Sequence, residues 1–353
     1  MANKTLVMNA PEEAPKPTVT LGIQSDSAFT EAAKGLAGRD LCSVADLSVQ
    51  EMAALMELAH AVKKQPEDFR HALDAKQMVL IFEKASLRTR LTFETAMNTL
   101  GGNAIFVDQT ASPLGERESI PDVARNLERW MQVIVLRTYA HDTVTEMAAH
   151  AKVPVINALS DFEHPCQAIA DFMTLEERFG SIEGLKFTYV GDGNNVCHSL
   201  MLAGALLGSH VTIATPKGFE PKLDIIHKAI EIAENTGGSL TLTHDPIKAA
   251  TGADAIYTDV CVSMGQEHET ARRAPIFKPF QVNDDLMSRA QSGAAFMHCL
   301  PAHRNAEVTD SVLDGKQSIV FDQAENRMHA QKAITLMLLG GAKRLPNTRN
   351  RRR

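Results

Sequence analysis

The segment Ser86-Leu87-Arg88-Thr89-Arg90 places two hydroxyls and two arginines within five consecutive residues. It follows a short apolar strand pattern at residues 78–82 and opens a helix pattern that ends near Gly101. A helix N-terminus offers backbone N–H groups and a partial positive charge, and arginine adds a forked donor. The segment therefore indicates a phosphate site, and the alternative is a capped amphipathic helix with surface arginines.

The motif His164-Pro165-Cys166-Gln167 stands at a second strand-to-helix turn. Because His164 and Gln167 are three residues apart, they share one face of a first helical turn. Both side chains suit a polar carbonyl or amide group. The alternative is a capping histidine followed by a buried glutamine.

The motif His298-Cys299-Leu300-Pro301 ends a predicted strand at residues 295–297. Adjacent strand residues point to opposite faces, so His298 and Cys299 are not expected to act as a nucleophile–base pair. Proline after the pair favours an exposed Leu300 carbonyl. The alternative is a buried structural cysteine, which is a common fate of free cysteines.

Two further loops carry polar residues. Asp259 precedes Ser263-Met264-Gly265, so a carboxylate suited to an ammonium partner stands beside a loop able to close over a ligand; the alternative is a capped turn. The turn at residues 191–195 is glycine-rich but lacks the third glycine of a dinucleotide fingerprint, and the following strand ends without an acidic residue for a ribose. Its asparagines are therefore predicted to face a small polar ligand.

Arg327 lies near the start of the last predicted helix.

Strand and helix patterns alternate along the chain, which predicts parallel sheets flanked by helices. The predicted strands are residues 78–82, 133–136, 153–156, 187–190, 211–214, 255–257, 295–297 and 319–321. We predict an α/β fold of two domains, each a parallel sheet flanked by helices, with the C-terminal helix returning to the first domain. The predicted divisions are a flexible extension at 1–36, a first domain at 37–173 with helix 325–342, a second domain at 174–324, and a basic tail at 343–353.

Composition excludes some functions. The net charge of −7 argues against a general nucleic-acid binder, and no apolar run is long enough to span a membrane. The five cysteines are odd in number and match neither a zinc module nor a disulfide scaffold. The N-terminus lacks the features of a secretory or transit signal, so a cytoplasmic location is expected.

The motifs Ser-x-Arg-Thr-Arg, His-Pro-x-Gln and His-Cys-Leu-Pro occur in an order that resembles the aspartate/ornithine carbamoyltransferase family, over about residues 38 to 342. The Asp-Gly-Asn-Asn and Ser-Met-Gly segments resemble its ornithine-type members. The resemblance implies transfer of a carbamoyl group from carbamoyl phosphate to the δ-amine of L-ornithine, giving L-citrulline and phosphate. It also implies no metal or other cofactor, and a homotrimer or a multiple of trimers.

The same resemblance assigns individual residues. Those implied for carbamoyl phosphate are Ser86, Leu87 through its N–H, Arg88, Thr89, Arg137, His164, Gln167, Cys299 and Leu300 through their carbonyls, and Arg327. Those implied for ornithine are Asn195, Asp259, Ser263 and Met264. Arg137 and His164 would polarise the carbonyl, Asp259 would orient the amine, and Cys299 would help to accept charge or a proton.

Two positions depart from the family pattern. Leu87 stands where threonine is common, and Pro113 lies near the position from which a polar side chain often enters a neighbouring subunit's site. Two alternative functions stay open at this point: a carbamoyltransferase for putrescine, and a catalytically silent binding or regulatory protein that keeps the fold.

Overall fold

A computed structural model of the chain describes residues 22, 23, 25–261 and 269–342. The described residues form two compact units. The first unit draws on Leu21–Met173 and Glu325–Arg353, and the second draws on Thr174–Ala324.

The first unit contains a four-stranded parallel sheet in the order β2-β1-β3-β4. Its strands are β1 (Gln77–Phe82), β2 (Asn103–Asp108), β3 (Val133–Arg137) and β4 (Val155–Leu159). Phe82 pairs with both Asp108 and Arg137, so the carboxyl ends of these strands lie level. Arg137 is the last residue of β3 at this edge of the sheet. Ser86 lies in the loop that follows β1, and His164 lies in the loop that follows β4. The parallel pairing thus gathers the predicted phosphate residues.

The helices of the first unit cover the sheet with apolar faces. They are α1 (Asp26–Leu36), α2 (Val49–Lys64), α3 (Leu87–Thr99), α4 (Ile120–Leu127), α5 (His141–His150) and the first part of α6 (Pro165–Phe179). One core cluster joins β1, β3 and β4 to α4 and α5 through the buried residues Val79, Ile81, Ala124, Ile134, Leu136, Val144, Met147 and Val155. Strand β3 is buried along its whole length, so its residues 133–136 are all apolar instead of alternating between apolar and polar.

The second unit contains a five-stranded parallel sheet in the order β7-β6-β5-β8-β9. Its strands are β5 (Lys186–Val190), β6 (His210–Ala214), β7 (Ser239–Thr243), β8 (Ala255–Tyr257) and β9 (Ala295–Met297). Its helices are α7 (Asn195–Leu206), α8 (Leu223–Thr236), α9 (Pro246–Ala250), α10 (Thr270–Phe277), α11 (Asp284–Met287) and α12 (Asp310–Leu313). The long helix α13 (Val320–Leu338) begins in this unit and continues into the first. The predicted fold class, two parallel-sheet α/β domains, is confirmed.

The predicted strand at residues 319–321 is wrong. Ser318 forms only an isolated bridge with Phe296, and helix α13 begins at Val320 rather than at Glu325. Val320 is buried while Phe321 is 75% exposed, so the apolar triplet marks a helix start with one inward side chain. A short apolar run does not distinguish these structures by its periodicity.

The predicted flexible extension is also wrong over Asp26–Leu36, which forms α1. Ser25 caps this helix by accepting a hydrogen bond from the Ala28 N–H at 3.2 Å. Phe29 and Leu36 are buried, so the helix contributes to the core of the first unit. Residues 1–21 and the basic tail at 343–353 lie outside the described residues.

Replacing Phe29 with leucine is expected to lower the free energy of unfolding by about 1 kcal/mol, because Phe29 is fully buried and leucine leaves space unfilled. The matched control is Phe321→Leu at an exposed position, where the change should stay within about 0.5 kcal/mol. Urea unfolding curves of the three proteins measure both changes. Equal stability of Phe29→Leu and the parent would show that α1 is not packed as described.

In the described part of the chain, no helix is both long enough and apolar enough to cross a membrane. All five cysteines lie within that part, and each is a free thiol.

Candidate active site

Helix α3 begins at the carboxyl edge of the first sheet because Ser86 caps it. The Ser86 hydroxyl oxygen accepts a hydrogen bond from the Thr89 N–H at 3.2 Å. The first N–H groups of a helix have no carbonyl partner within that helix, so this end presents donors to an anion. Leu87 is the first residue of α3 and its side chain is 72% exposed, which leaves only its backbone for such a role.

The Thr89 hydroxyl is held by two donors. The Ser86 Oγ donates to Thr89 Oγ1 at 2.9 Å, and the Arg327 Nη2 donates to the same oxygen at 2.7 Å. Since both hydrogen bonds use its lone pairs, the Thr89 hydroxyl proton remains to be donated elsewhere. A buried hydroxyl arranged in this way suits a phosphate oxygen. The hydrogen bond from Arg327 also joins α13 to the first turn of α3.

Arg137 and His164 complete this group of side chains, which we call the Arg327 cluster (Ser86, Thr89, Arg137, His164 and Arg327). Both Arg137 and His164 are buried. Burial, and then the positive charges of Arg327 and Arg137, hold the pKa of His164 well below its ordinary value. The imidazole is therefore neutral near pH 7 and carries one N–H donor. Two guanidinium groups and a neutral imidazole suit an oxygen on which negative charge develops.

Gln167 lies on the first turn of α6, where its N–H donates to the His164 carbonyl at 3.1 Å. Its side-chain Nε2 donates to Asp171 Oδ1 at 2.7 Å, while its buried Oε1 has no hydrogen-bond partner among the described residues. The free oxygen suits an N–H donor on a ligand. Cys166 beside it is a structural residue, since its Sγ donates to the Asn157 carbonyl at 3.5 Å and burial raises the pKa of this thiol to about 12.

In the second unit, Asp259 follows β8 and forms the Asp259 cluster with Asn194 and Cys299. The Asn194 Nδ2 donates to Asp259 Oδ2 at 2.8 Å, and the Cys299 Sγ donates to Asp259 Oδ1 at 3.1 Å. Asn194 also caps α7, since its Oδ1 accepts the N–H groups of Val196 and Cys197. A buried carboxylate held at the end of a strand suits an ammonium or amine.

His298 supports the turn that carries Cys299. Its Nδ1 accepts the Leu300 N–H at 2.9 Å, so its Nε2 is protonated and donates to Glu307 at 3.2 Å. Leu300 has a φ of 58°, a conformation that is uncommon for a side-chain-bearing residue, and the bond to His298 holds it there. With both ring nitrogens engaged, His298 is not placed as a base for Cys299, as the sequence predicted.

Among the residues that the structure describes, one group of side chains offers ligand atoms close enough for a metal ion. The ligand atoms of Asp259, His298 and Cys299 lie within 4.8 Å of one another. The His298 Nδ1 lone pair already accepts the Leu300 N–H, and the Cys299 thiol donates its proton to Asp259, so a metal ion held by all three would have to displace both bonds.

The glycine-rich turn after β5 has a packing role. A Cβ on Gly193 would lie 2.3 Å from the Pro221 nitrogen, and the Gly193 N–H donates to the Phe219 carbonyl at 2.9 Å. Glycine here allows close approach of the chain's own backbone, which accounts for the motif without a dinucleotide.

The remaining predicted residues are placed less specifically. Arg88 is half-buried on the first turn of α3, and Asn195 is the half-buried first residue of α7. Pro113 lies in the loop between β2 and α4. Ser263 and Met264 fall outside the described residues.

Sequence reasoning missed two charged residues that brace the site. Glu83 is buried and its two carboxylate oxygens accept the N–H groups of Leu114 and Tyr139, each at 2.9 Å, while its own N–H donates to the Arg137 carbonyl at 2.8 Å. It therefore fixes the backbone from the Arg137 carbonyl to Tyr139 and joins it to the loop at Leu114. A buried acid directly after an apolar strand was the available signal, but its partners are distant in sequence.

The second missed residue is Arg273 on α10. It donates to Asp192 at 2.6 Å, to Glu269 at 2.7 Å and to the Cys261 carbonyl at 3.1 Å. These bonds hold the turn after β5 and the chain that leaves the Asp259 cluster. No short motif surrounds Arg273, so the sequence alone did not single it out.

Comparison with known proteins is consistent across the chain. Residues 39–177 match the carbamoyl-P binding domain of aspartate/ornithine carbamoyltransferase, and residues 183–338 match its Asp/Orn binding domain. An ornithine carbamoyltransferase of Pyrococcus horikoshii is 51% identical over 310 residues, which cover 87% of this chain and 98% of that protein. The structure of ornithine carbamoyltransferase from Pyrococcus furiosus is 50% identical, with a TM-score of 0.84, and covers 87% of this chain and 98% of that one. The structure of ornithine carbamoyltransferase from Thermus thermophilus is 46% identical, with a TM-score of 0.77. The match covers 85% of this chain and 98% of that one. The chain therefore belongs to the aspartate/ornithine carbamoyltransferase family.

Proposed function

We propose that this chain transfers the carbamoyl group of carbamoyl phosphate to the δ-amine of L-ornithine, giving L-citrulline and phosphate. The observation that carries the proposal is the Arg327 cluster, in which two guanidinium groups, a neutral imidazole and a donating hydroxyl gather at a helix N-terminus. The ornithine-type relatives, similar over nearly their whole length, support ornithine as the acceptor.

In the proposed mechanism, the phosphate group binds Ser86, Arg88, Thr89 and the Leu87 N–H. The carbamoyl oxygen lies against Arg137 and His164, and Arg327 adds a further donor. The carbamoyl NH2 donates to Gln167 Oε1 and to the carbonyls of Cys299 and Leu300. This arrangement polarises the carbonyl carbon and leaves the phosphate as a stabilised leaving group.

The amine must be neutral to attack, although the ordinary pKa of an alkylammonium is about 10. Asp259 orients the δ-amine and receives its proton, and the Cys299 thiol that donates to Asp259 helps to hold this carboxylate in place. The nitrogen then bonds to the carbonyl carbon, and the oxyanion that forms is stabilised by Arg137 and His164. The carbon–oxygen bond to phosphate breaks as the carbonyl reforms, and the second proton of the attacking nitrogen passes to the departing phosphate. Asn195, Ser263 and Met264 contact the rest of ornithine.

We further propose that the protein works in the cytoplasm, where it assembles as a homotrimer or a multiple of trimers and binds neither nucleic acid nor membrane. The exposed apolar side chains of Leu87 and Leu91 on α3 and of Ile105 on the edge strand β2 support a subunit contact on the first unit. Sedimentation equilibrium tests the assembly.

A citrulline assay tests the reaction. With carbamoyl phosphate present, we expect citrulline and phosphate to form in equal amounts from L-ornithine, and kcat/KM for putrescine to be at least about a hundredfold lower, because putrescine lacks the α-carboxylate and α-amine. Faster turnover of putrescine would support the alternative acceptor. Absence of turnover with both amines, in a protein that still binds carbamoyl phosphate, would support a silent binding protein.

A further inference from the structure

Asp171 lies one helical turn after Gln167 on α6 and is fully buried. Its Oδ1 accepts the Gln167 Nε2–H at 2.7 Å. Residues four apart face the same side of a helix, so the two side chains meet without distortion of the backbone. Asp171 itself lies outside the motifs from which the reaction is proposed.

A carboxylate accepts hydrogen bonds but cannot donate them. The Gln167 amide must therefore turn its NH2 toward Asp171 and its oxygen away. That oxygen, Gln167 Oε1, is buried and has no hydrogen-bond partner among the described residues. Without Asp171, nothing in this contact distinguishes the two orientations of the amide, which have nearly the same shape.

We propose that Asp171 is a positioning residue that sets the Gln167 amide so that the subsite selects a carbamoyl NH2 over a methyl group. The proposal rests on the proposed function, in which Gln167 Oε1 accepts the carbamoyl NH2. In the opposite orientation, the Gln167 NH2 would face the carbamoyl NH2, so two donors would meet with no acceptor. A methyl group in the same place makes no hydrogen bond in either orientation.

Acetyl phosphate is the discriminating probe, because it replaces the carbamoyl NH2 with a methyl group and keeps the phosphate. In the variant Asp171→Asn, the size is unchanged, but the new amide can donate to Gln167 Oε1 as well as accept from Nε2, so the contact no longer excludes the reversed orientation. We expect the affinity for carbamoyl phosphate to fall about ten- to a hundredfold. We expect the affinity for acetyl phosphate to change less than about threefold, so the ratio of the two affinities should collapse.

The measurement is calorimetric titration of the full chain with each compound, with Asp142→Asn, an exposed aspartate of the same unit, as the matched control. If Asp171 had only a structural role, the substitution would weaken the binding of both compounds equally. The ratio of the two affinities would then stay unchanged, and this result would overturn the proposal. If Asp171 acts through Gln167, Asp171→Asn should not change the ratio further in a Gln167→Ala background. An independent effect there would also overturn it.

Failure of the proposed function gives a different result. A parent protein that binds neither compound, or that binds acetyl phosphate as tightly as carbamoyl phosphate, would contradict the reading of Gln167 itself. A parent that prefers carbamoyl phosphate, with an Asp171→Asn variant that keeps the preference, would contradict only the role of Asp171.

Discussion

Replacing Asp259 with asparagine is expected to lower kcat/KM for ornithine by at least about a hundredfold, or ~2.7 kcal/mol of transition-state stabilisation. The substitution removes the negative charge that, in the proposed mechanism, orients and deprotonates the δ-amine. It should leave the fold intact, because the new side chain can still accept the Asn194 Nδ2–H and place its own NH2 toward the Cys299 sulfur. The orientation of Asn194 is already fixed by its cap on α7.

Carbamoyl phosphate should bind the Asp259→Asn variant almost normally, since the Arg327 cluster lies in the other unit. Asp245→Asn is the matched control, because Asp245 caps α9 in the same unit and asparagine is an equally good cap. Steady-state kinetics, calorimetry and thermal melts on the same samples separate the possibilities. A variant that melts lower but turns over ornithine normally would make Asp259 a structural residue only.

The strands that the sequence predicted best are those with flanking turn signals. Residues 255–257 and 295–297 were predicted with the bounds that the structure shows, since both are short apolar runs buried between polar turns. The strand predicted at 153–156 instead runs from Val155 to Leu159, because the Pro154 nitrogen cannot donate to a neighbouring strand. The prediction at residues 319–321 failed because a three-residue apolar run is equally compatible with a strand and with the start of a helix.

The candidate site likewise contains residues that local sequence patterns identify and contacts that only the folded chain shows. Motifs at strand-to-helix turns, such as those at Ser86 and His164, were visible because parallel sheets bring such turns to one edge. The contact of Gln167 with Asp171 was within reach of helical spacing. The bonds of Glu83 to Leu114 and Tyr139, and of Arg327 to Thr89, join residues far apart in the chain. Local patterns carry no signal for such pairs, so only the folded chain identifies them.

Replacing Arg137 with methionine is expected to lower kcat by about a hundred- to a thousandfold, because in the proposed mechanism Arg137 donates to the developing oxyanion in a buried site. Methionine fills much of the same volume without the charge. The backbone should hold its place, since the Glu83 N–H still donates to the carbonyl at position 137 and Tyr139 still donates to Glu83. The KM for carbamoyl phosphate should also rise, because Arg137 contacts the bound substrate in the proposed mechanism.

The same variant has a second, independent readout in His164. The positive charge of Arg137 lowers the pKa of His164, so removing that charge must raise the pKa, although burial and Arg327 still act to keep it low. NMR titration of the His164 ring in the parent and in Arg137→Met measures the shift. Arg129→Met, at an exposed arginine of the same unit, is the matched control and should change neither the rate nor the titration. A folded Arg137→Met protein with a normal kcat would remove Arg137 from the mechanism, whereas a fallen kcat with an unmoved His164 titration would contradict the closeness of the two side chains.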